Sequence, residues 1–333
     1  MHKSNKATAA DVAKAAGVSK WTVTRAFTPG ASIAEASRER VLQEAQRLGY
    51  RPNLLARSLA TKKTNQVAVL VDDFANPYKL VMLEALTQAL QERQMAVMLL
   101  NINRHFDHVS AMLDADQRQV DAVVLVGTDF HEAALRPAAL PPSSAPLYVL
   151  ARESSMPNLT SVSCDPQASM AAINQHLWQR GYRRPGFMSG PQSLSTGLGR
   201  KQQFMAFWQE KTGAPPPELP VGNYDRSAAA AVFSAYWTGR GASQDIDVLM
   251  CENDTLAMGV MDAARYEMGL QLPEQLAIVG YDGDPLTASP AYDITTYRQP
   301  MEQMVHTLVD MICGKLPIQS INLAGELLLR SSS

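Results

Sequence analysis

The sequence predicts an α/β chain in which a small all-helical unit precedes a larger body of alternating strands and helices. Three observations predict it. The first is charge: through Lys63 there are twelve Lys/Arg against four Asp/Glu, a net of +8, whereas the whole chain has 30 basic and 32 acidic residues, which leaves −10 on the remainder. A cationic head on an anionic body is the footprint of a module that meets a polyanion, attached to a domain with another task. The second is dense helix punctuation within the first fifty residues. The third is a run of short apolar segments from Val67 onward, spaced by segments of helix length.

In the head, Thr8 and Asp11 stand three apart, the spacing of a capping box. Val12, Ala13 and Ala16 make an apolar stripe, and Gly17 supplies the left-handed residue that stops the helix. Ser19 caps a second helix that runs from Lys20 through Trp21, Thr22, Val23, Thr24 and Arg25 to Phe27. Two short helices joined by a Gly-containing turn form the unit whose second helix enters the DNA major groove. A third helix spans about 35–48, with Val41, Leu42, Ala45 and Leu48 on one face and Gly49 at its end. Its start is open: Ser32 with Glu35 fits a capping box, and a start at Ala34 leaves the helix poorly capped. After Pro52, Asn53 caps a short leucine-bearing helix over 54–60.

The run from Asp11 through Gly17, Val18, Ser19, Lys20 and Trp21 to Arg25 resembles the head-piece of the LacI/GalR family of bacterial regulators. Arg38-Glu39-Arg40-Val41-Leu42, Leu48-Gly49-Tyr50-Arg51-Pro52-Asn53 and Ala56-Arg57-Ser58-Leu59 continue the match in order. The resemblance implies that Lys20, Trp21 and Arg25 reach base edges. The planar fork of Arg25 suits guanine O6 and N7. Trp21 departs from the small or polar residues usual there; it either covers thymine methyls and sugar or packs within the head. Ser19, Thr22, Thr24, Tyr50 and Asn53 are expected on the DNA side, Thr22, Thr24 and Tyr50 as phosphate donors. Ala56, Arg57 and Leu59 belong to the hinge helix that the resemblance implies, with Leu59 wedged into the minor groove; a plain linker helix is the alternative.

In the body, Val67–Val71, Ala96–Leu100, Ala122–Val126 and Leu147–Leu150 read as strands, with a helix over 78–93 after the first. Gly186–Met188, Val248–Cys251 and Ala277–Gly280 form a second series. Continuous apolar strands alternating with helices argue parallel, doubly wound sheets covered on both faces, and about 270 residues argue two lobes. Pro141-Pro142 and Pro215-Pro216-Pro217 read as surface loops. The resemblance implies a two-lobed periplasmic-binding-protein-like domain, on Asn76-Pro77-Tyr78, Asn253-Asp254-Thr255, Gly280-Tyr281-Asp282 and Thr295 to Pro300. The expected organisation is a head-piece over 1–50 and a hinge with linker over 51–64. An effector-binding and dimerisation domain follows over 65–333, with lobe 1 about 65–160 and 294–322 and lobe 2 about 161–293 and 323–333.

Ligands of open α/β sheets bind at the carboxyl ends of strands. Carried over by position, the effector site comprises Asp73, Phe74, Arg152, Arg200, Tyr224, Asn253 and Asp282. Carboxylates and guanidinium forks bracket hydroxyls, and an aromatic face covers a ring, so the set suits a sugar-like ligand. Plainer readings stand beside it: Arg200 and Asp282 pair with each other, Tyr224 is core, and Asp254 caps the helix that starts at Thr255. Ala151 stands where many relatives carry Asp, Gln203 replaces a common Gly, and Gly283 follows Asp282 in place of a second acid. The lost acid tilts the balance towards an anionic ligand, a sugar acid or sugar phosphate, although Asp72 and Asp73 can restore it.

No Gly-x-Gly-x-x-Gly, phosphate-loop or Gly-x-Ser-x-Gly pattern is present, so an enzyme on this fold is a poor reading and no cofactor is expected. His105 and His108 flank Asp107 without further ligands nearby. Cys164, Cys251 and Cys313 are widely spaced, as expected of reduced thiols. With no membrane-span or signal-peptide pattern, a bacterial cytoplasmic location is expected, on the nucleoid when DNA-bound. The expected partners are double-stranded, pseudo-palindromic operator DNA, a carbohydrate-derived effector and a second copy of the chain in a homodimer. The expected function is that of a repressor under metabolite control. A solute-binding protein is the rival, but it has no use for a +8 head.

Overall fold

The computed structural model of the chain describes all residues except 1–6, 29, 54–57, 59–62, 75, 104, 106, 128–144, 155–158, 192–195, 198, 240 and 242–244, and the side chains of 196 and 197. Two compact units emerge, residues 1–64 and 65–333.

The first unit is a three-helix head: α1 (Ala9–Ala16), α2 (Lys20–Ala26) and α3 (Glu35–Arg47). The Thr8 hydroxyl accepts from Asp11 N and the Asp11 carboxylate accepts from Thr8 N, a complete capping box. Gly17 takes φ 65° and closes α1, letting Val18 N reach Ala13 O at 3.0 Å. Ser19 caps α2 by accepting from Thr22 N. The start of α3 is resolved in favour of Ala34, which offers no side-chain cap. Val12, Ala13, Ala16, Val23, Ala26, Val41 and Ala45 form a small core. Leu42, expected on that face, is exposed instead. Of the expected hinge helix only Ser58 is described; Leu54, Ala56, Arg57 and Leu59 lie outside the described residues.

The second unit carries two six-stranded sheets. Lobe 1 uses β1 (Gln66–Val71), β2 (Ala96–Asn101), β3 (Ala122–Val126), β4 (Leu147–Leu150), β6 (Thr160–Cys164) and β13 (Ile321–Leu323), in the order β13-β6-β4-β3-β1-β2, all parallel. Lobe 2 uses β7 (Pro185–Ser189), β9 (Glu218–Pro220), β10 (Val248–Cys251), β11 (Ala277–Asp282), β12 (Thr295–Arg298) and β14 (Glu326–Leu328). Its order is β14-β12-β11-β10-β7-β9, parallel but for the antiparallel β12–β14 edge. The two-residue strands β5 (Glu153–Ser154) and β8 (Thr196–Gly197) pair separately.

The helices that cover these sheets are α4 (Tyr78–Glu92), α5 (His108–Gln117), α6 (Pro166–Gln179), α7 (Arg200–Thr212), α8 (Arg226–Gly239), α9 (Asp254–Asp262) and α10 (Met301–Ile312). One apolar cluster runs through both lobes, from Val69 and Leu86 to Phe187 and Tyr281, and each lobe has a second cluster of its own. Among the described residues no helix is long and apolar enough to cross a membrane.

Three expectations are corrected here. The lobe limits move: β6 at 160–164 pairs with β4 and so belongs to lobe 1, while β12 at 295–298 pairs with β11 and belongs to lobe 2. The strand at Ala96 is not covered on both faces, because it lies at the sheet edge with Leu99 exposed. Asn253, not Asp254, caps α9: its Oδ1 accepts from Leu256 N at 2.9 Å. Asp107 serves as the cap of α5, accepting from Ser110 N, which accounts for it without a metal. Pro141-Pro142 lies outside the described residues.

Candidate ligand cleft and nucleic-acid interface

On the head, α2 presents Lys20, Trp21 and Thr24 to solvent. Trp21 is 66% exposed, which rules out a packing role in the head core. The Arg25 guanidinium lies 4.4 Å from the centre of the Trp21 ring, in cation–π geometry. The indole therefore holds the guanidinium on the outer side of the helix. Thr22 and Ser19 share a hydroxyl contact at 2.9 Å, and the Thr24 hydroxyl donates to Lys20 O. Tyr50 packs edge-on against Phe27, and burial raises its pKa. Asn53 is exposed; Ala56, Arg57 and Leu59 fall outside the described residues. Arg38 is one basic residue that does not face outward: its two Nη atoms donate to Ala26 O and Ala31 O, clamping the end of α2.

In the second unit the carboxyl ends of the strands converge on a small cleft. Five of the seven residues expected at an effector site line it: Arg152, Arg200, Tyr224, Asn253 and Asp282. Asp73 and Phe74 do not line it, and Phe74 is 45% exposed. Asn76, Tyr78, Lys79 and Gln299 also line it without having been singled out as ligand contacts. Lys79 left a signal in the sequence, a single charge in the apolar run Tyr78-Lys79-Leu80-Val81-Met82-Leu83. Gln299 left none beyond its place after a strand.

Non-glycine residues at or just after three strand ends take positive φ: Asp73 (50°), Ala151 (64°) and Asp282 (120°), the last two lining the cleft. Backbone strain of this kind persists where the surroundings fix it, and it concentrates at binding sites. The lobes also touch directly, since the Thr255 hydroxyl donates to Asn76 Oδ1 at 3.3 Å between buried side chains.

Arg200, the first residue of α7, is fully engaged. Its Nη1 donates to Glu252 O at 2.7 Å, its Nη2 lies 3.7 Å from Asp282, and its guanidinium stacks on Tyr281 at 3.4 Å. Burial opposes its charge, but Tyr281, Asp282, Tyr224 and Glu252 hold its pKa above the ordinary range. Tyr224 is both wall and core: it is buried in an apolar cluster, and its hydroxyl donates to Glu252 Oε2 at 3.0 Å. Glu252 Oε2 accepts a second bond, from Gly190 N at 2.8 Å.

Burial pushes the Asp282 carboxyl up to about 6, against the pull of Arg200 and of Gln299, whose Nε2 donates to Oδ1 at 2.7 Å. Asp73 is likewise raised by burial to about 6, although Lys79 and Arg152 oppose the rise. Asp254 lies behind the cleft, accepting from Thr296 Oγ1 and Asp284 N at 2.7 Å each.

Gly190 is required by the Tyr224 wall, because a Cβ there would stand 2.1 Å from the ring. Gly190→Ala is expected to destabilise the protein by about 1–3 kcal/mol and to displace Tyr224 from the cleft. Chemical denaturation checks the first effect; an unchanged midpoint would refute it.

Residues 8–53 match the family described as bacterial regulatory proteins, lacI family, and residues 174–333 match a periplasmic binding protein-like domain. The chain is 27% identical to the HTH-type transcriptional repressor PurR of Proteus mirabilis (strain HI4320) over 317 residues, 93% of this chain and 90% of that one. Among solved structures, the Lac repressor dimer bound to operator and the anti-inducer ONPF aligns with a TM-score of 0.81 at 21% identity, covering 98% of this chain and 99% of that one. A transcriptional regulator CelR–cellobiose complex aligns at 0.68 and 24% identity, covering 98% and 100%. At such identities the structural likeness shows the fold. The head match and the body match, in this order along one chain with the helix-turn-helix and the paired sheets in place, establish that the chain belongs to the lacI family of bacterial regulatory proteins.

Proposed function

We propose that this chain is a sequence-specific transcriptional repressor whose operator affinity is set by a small, carbohydrate-derived metabolite bound between its two lobes. The observation that carries the reading is the presence, in one chain, of a cationic helix-turn-helix exposing Lys20 and Trp21 and of a buried, charge-lined cleft. An enzyme or a plain solute-binding protein gives the head no task. The relatives agree in kind: one solved repressor dimer holds operator, and a related regulator holds cellobiose.

The working unit is a homodimer on a pseudo-palindromic site in the bacterial cytoplasm, associated with the nucleoid while bound. A single head makes too few contacts for tight binding, and two-fold symmetry doubles them. Ligand that favours one arrangement of the lobes changes operator affinity by a coupling free energy of typically ~1–3 kcal/mol. The test is fluorescence anisotropy on duplexes enriched from a random pool, repeated across salt concentrations. A dimer that places on the order of ten cations on phosphates gives a log–log salt slope of roughly −9. A slope near zero, or no enriched sequence, would overturn the reading.

A further inference from the structure

Among the described residues that line the cleft, four carry charge: Lys79, Arg152, Arg200 and Asp282. They do not face a ligand equally. Arg200 is held by the Glu252 carbonyl, the Asp282 carboxylate and the Tyr281 ring. Arg200 and Asp282 thus form a neutral pair on lobe 2. The other two cations stand on lobe 1, Lys79 at the start of α4 and Arg152 just past the end of β4, and both are buried.

Lys79 is poorly served where it is. Its ion pair with Asp72 spans 3.9 Å, beyond hydrogen-bond distance, with side chains only 6% and 9% exposed. Among the described residues its ammonium makes no hydrogen bond, so none of them gives its three strong donors a close acceptor. Burial lowers its pKa against the opposing pull of Asp72, Asp73 and Asp282, and the nearby Arg152 lowers it further. Asp72 and Asp73 stand against the two cations, yet neither gives the Lys79 ammonium an acceptor within hydrogen-bond distance. Next to Arg152, Ala151 supplies a methyl and no carboxylate to the same wall.

The opposite wall has different needs. Asn253 Nδ2 and Gln299 Oε1 are buried without hydrogen-bond partners, one a donor and the other an acceptor, and both residues line the cleft beside Asp282. A hydroxyl can accept from the first and donate to the second, which neither a carboxylate nor an apolar group does.

We propose that the effector is a small polyhydroxylated anion, a sugar acid or a sugar phosphate, whose anionic group sits between Lys79 and Arg152 while its hydroxyls meet Asp282, Asn253 and Gln299. This rests on reading the cleft as a regulatory ligand site and adds the charge and orientation of the ligand. Both cations come from lobe 1 and the orphaned amides from beyond it, so such a ligand bridges the two walls.

The test is a paired panel on the full-length chain: D-glucose against D-gluconate, D-glucuronate and 6-phospho-D-gluconate, and D-ribose against D-ribose 5-phosphate. Melting temperature gives the screen and titration calorimetry the affinities. The expected result is stabilisation by anionic members and none by their neutral parents; carboxylate and phosphate hits separate the two sources of charge. Lys79→Gln should weaken the hit by roughly tenfold to a hundredfold, the worth of a hydrogen bond to a charged group. Retained operator binding and a cooperative melt would show that the variant is folded, and Lys79→Arg should recover part of the affinity. A neutral sugar that binds as well as its acid overturns the inference, as does a Lys79→Gln variant that binds the anion undiminished. Either leaves the regulatory reading standing, because that reading falls only with operator binding. A panel in which no member binds overturns the sugar-anion assignment itself.

Discussion

An Arg200→Met variant is expected to lose up to about 3–5 kcal/mol of stability and its entire ligand response, because removing one partner of a buried ion pair strands the other. The strandings are specific. The Glu252 carbonyl loses the donor at 2.7 Å, Asp282 loses its counter-charge, and the Tyr281 face loses the guanidinium stacked on it. Methionine fills much of the volume, so a cavity does not explain the loss. The ceiling is set by Asp282, whose carboxyl titrates at about 6 even with Arg200 in place. Without the guanidinium it holds its proton to higher pH, so the variant should be least impaired near pH 6 and worsen as pH rises. Arg200→Met combined with Asp282→Asn removes the stranded charge. It should regain much of the stability and none of the ligand response, a non-additivity that denaturation of the four proteins measures directly. Equal stability of Arg200→Met and wild type at pH 8 would remove the ion pair from the account.

The same carboxyl fixes the sign of the wild type's own pH dependence. Burial places Asp282 at about 6, above the ordinary carboxylate range. Between roughly pH 4 and 6 the folded protein therefore keeps a proton that the unfolded chain has released. Stability falls as pH rises through that window and levels off above it. A shift of that size is worth at most about 3 kcal/mol. Asp73 titrates in the same window and in the same direction. Asp282→Asn should accordingly flatten part of the decline and leave the rest.

What could be read from the sequence follows from how each element is buried. The strands β1, β3, β4 and β10 are covered on both faces, so their residues are almost wholly apolar and mark their own limits. By contrast β6 and β12 carry Ser161, Ser163, Thr295 and Thr296, which look like loop residues until their partners arrive from elsewhere in the chain. The Ser163 hydroxyl donates to Asn322 and the Thr296 hydroxyl to Asp254, contacts that no local pattern announces. That is why the lobe limits slipped at these two strands.

The cleft was legible where a polar or charged residue ends or follows an apolar strand, as at Arg152, Asn253 and Asp282. Gln299 was not, since it trails a polar strand, and Lys79 showed only as a single charge within an apolar helix. On the head, Arg38 counted as part of the cationic footprint, but its guanidinium serves the backbone of its own fold.

The recognition helix carries the other large effect, and it separates charge from shape. Arg25→Ala should cost about 1–3 kcal/mol at each half-site, the worth of a bidentate guanine contact. A dimer on a palindrome feels this twice. Arg25→Lys is the sharper test, because it keeps the positive charge and removes the planar fork. It should leave the salt slope nearly unchanged while abolishing preference at one base pair of each half-site. Lys20→Ala acts through a different surface charge. If Lys20 meets a phosphate rather than a base, its loss weakens binding to all sequences alike and lowers the slope by about one per head.

Trp21 links these effects, since its exposed ring holds the Arg25 guanidinium at 4.4 Å before DNA arrives. Trp21→Phe retains a flat face and should retain most of the selectivity. Trp21→Ala frees the guanidinium and adds an ordering cost to every binding event, so affinity drops with the salt slope intact. The measurement is anisotropy on the enriched duplex and on its single-base variants. An Arg25→Lys protein that still discriminates at every position would show that α2 reads its site through other residues.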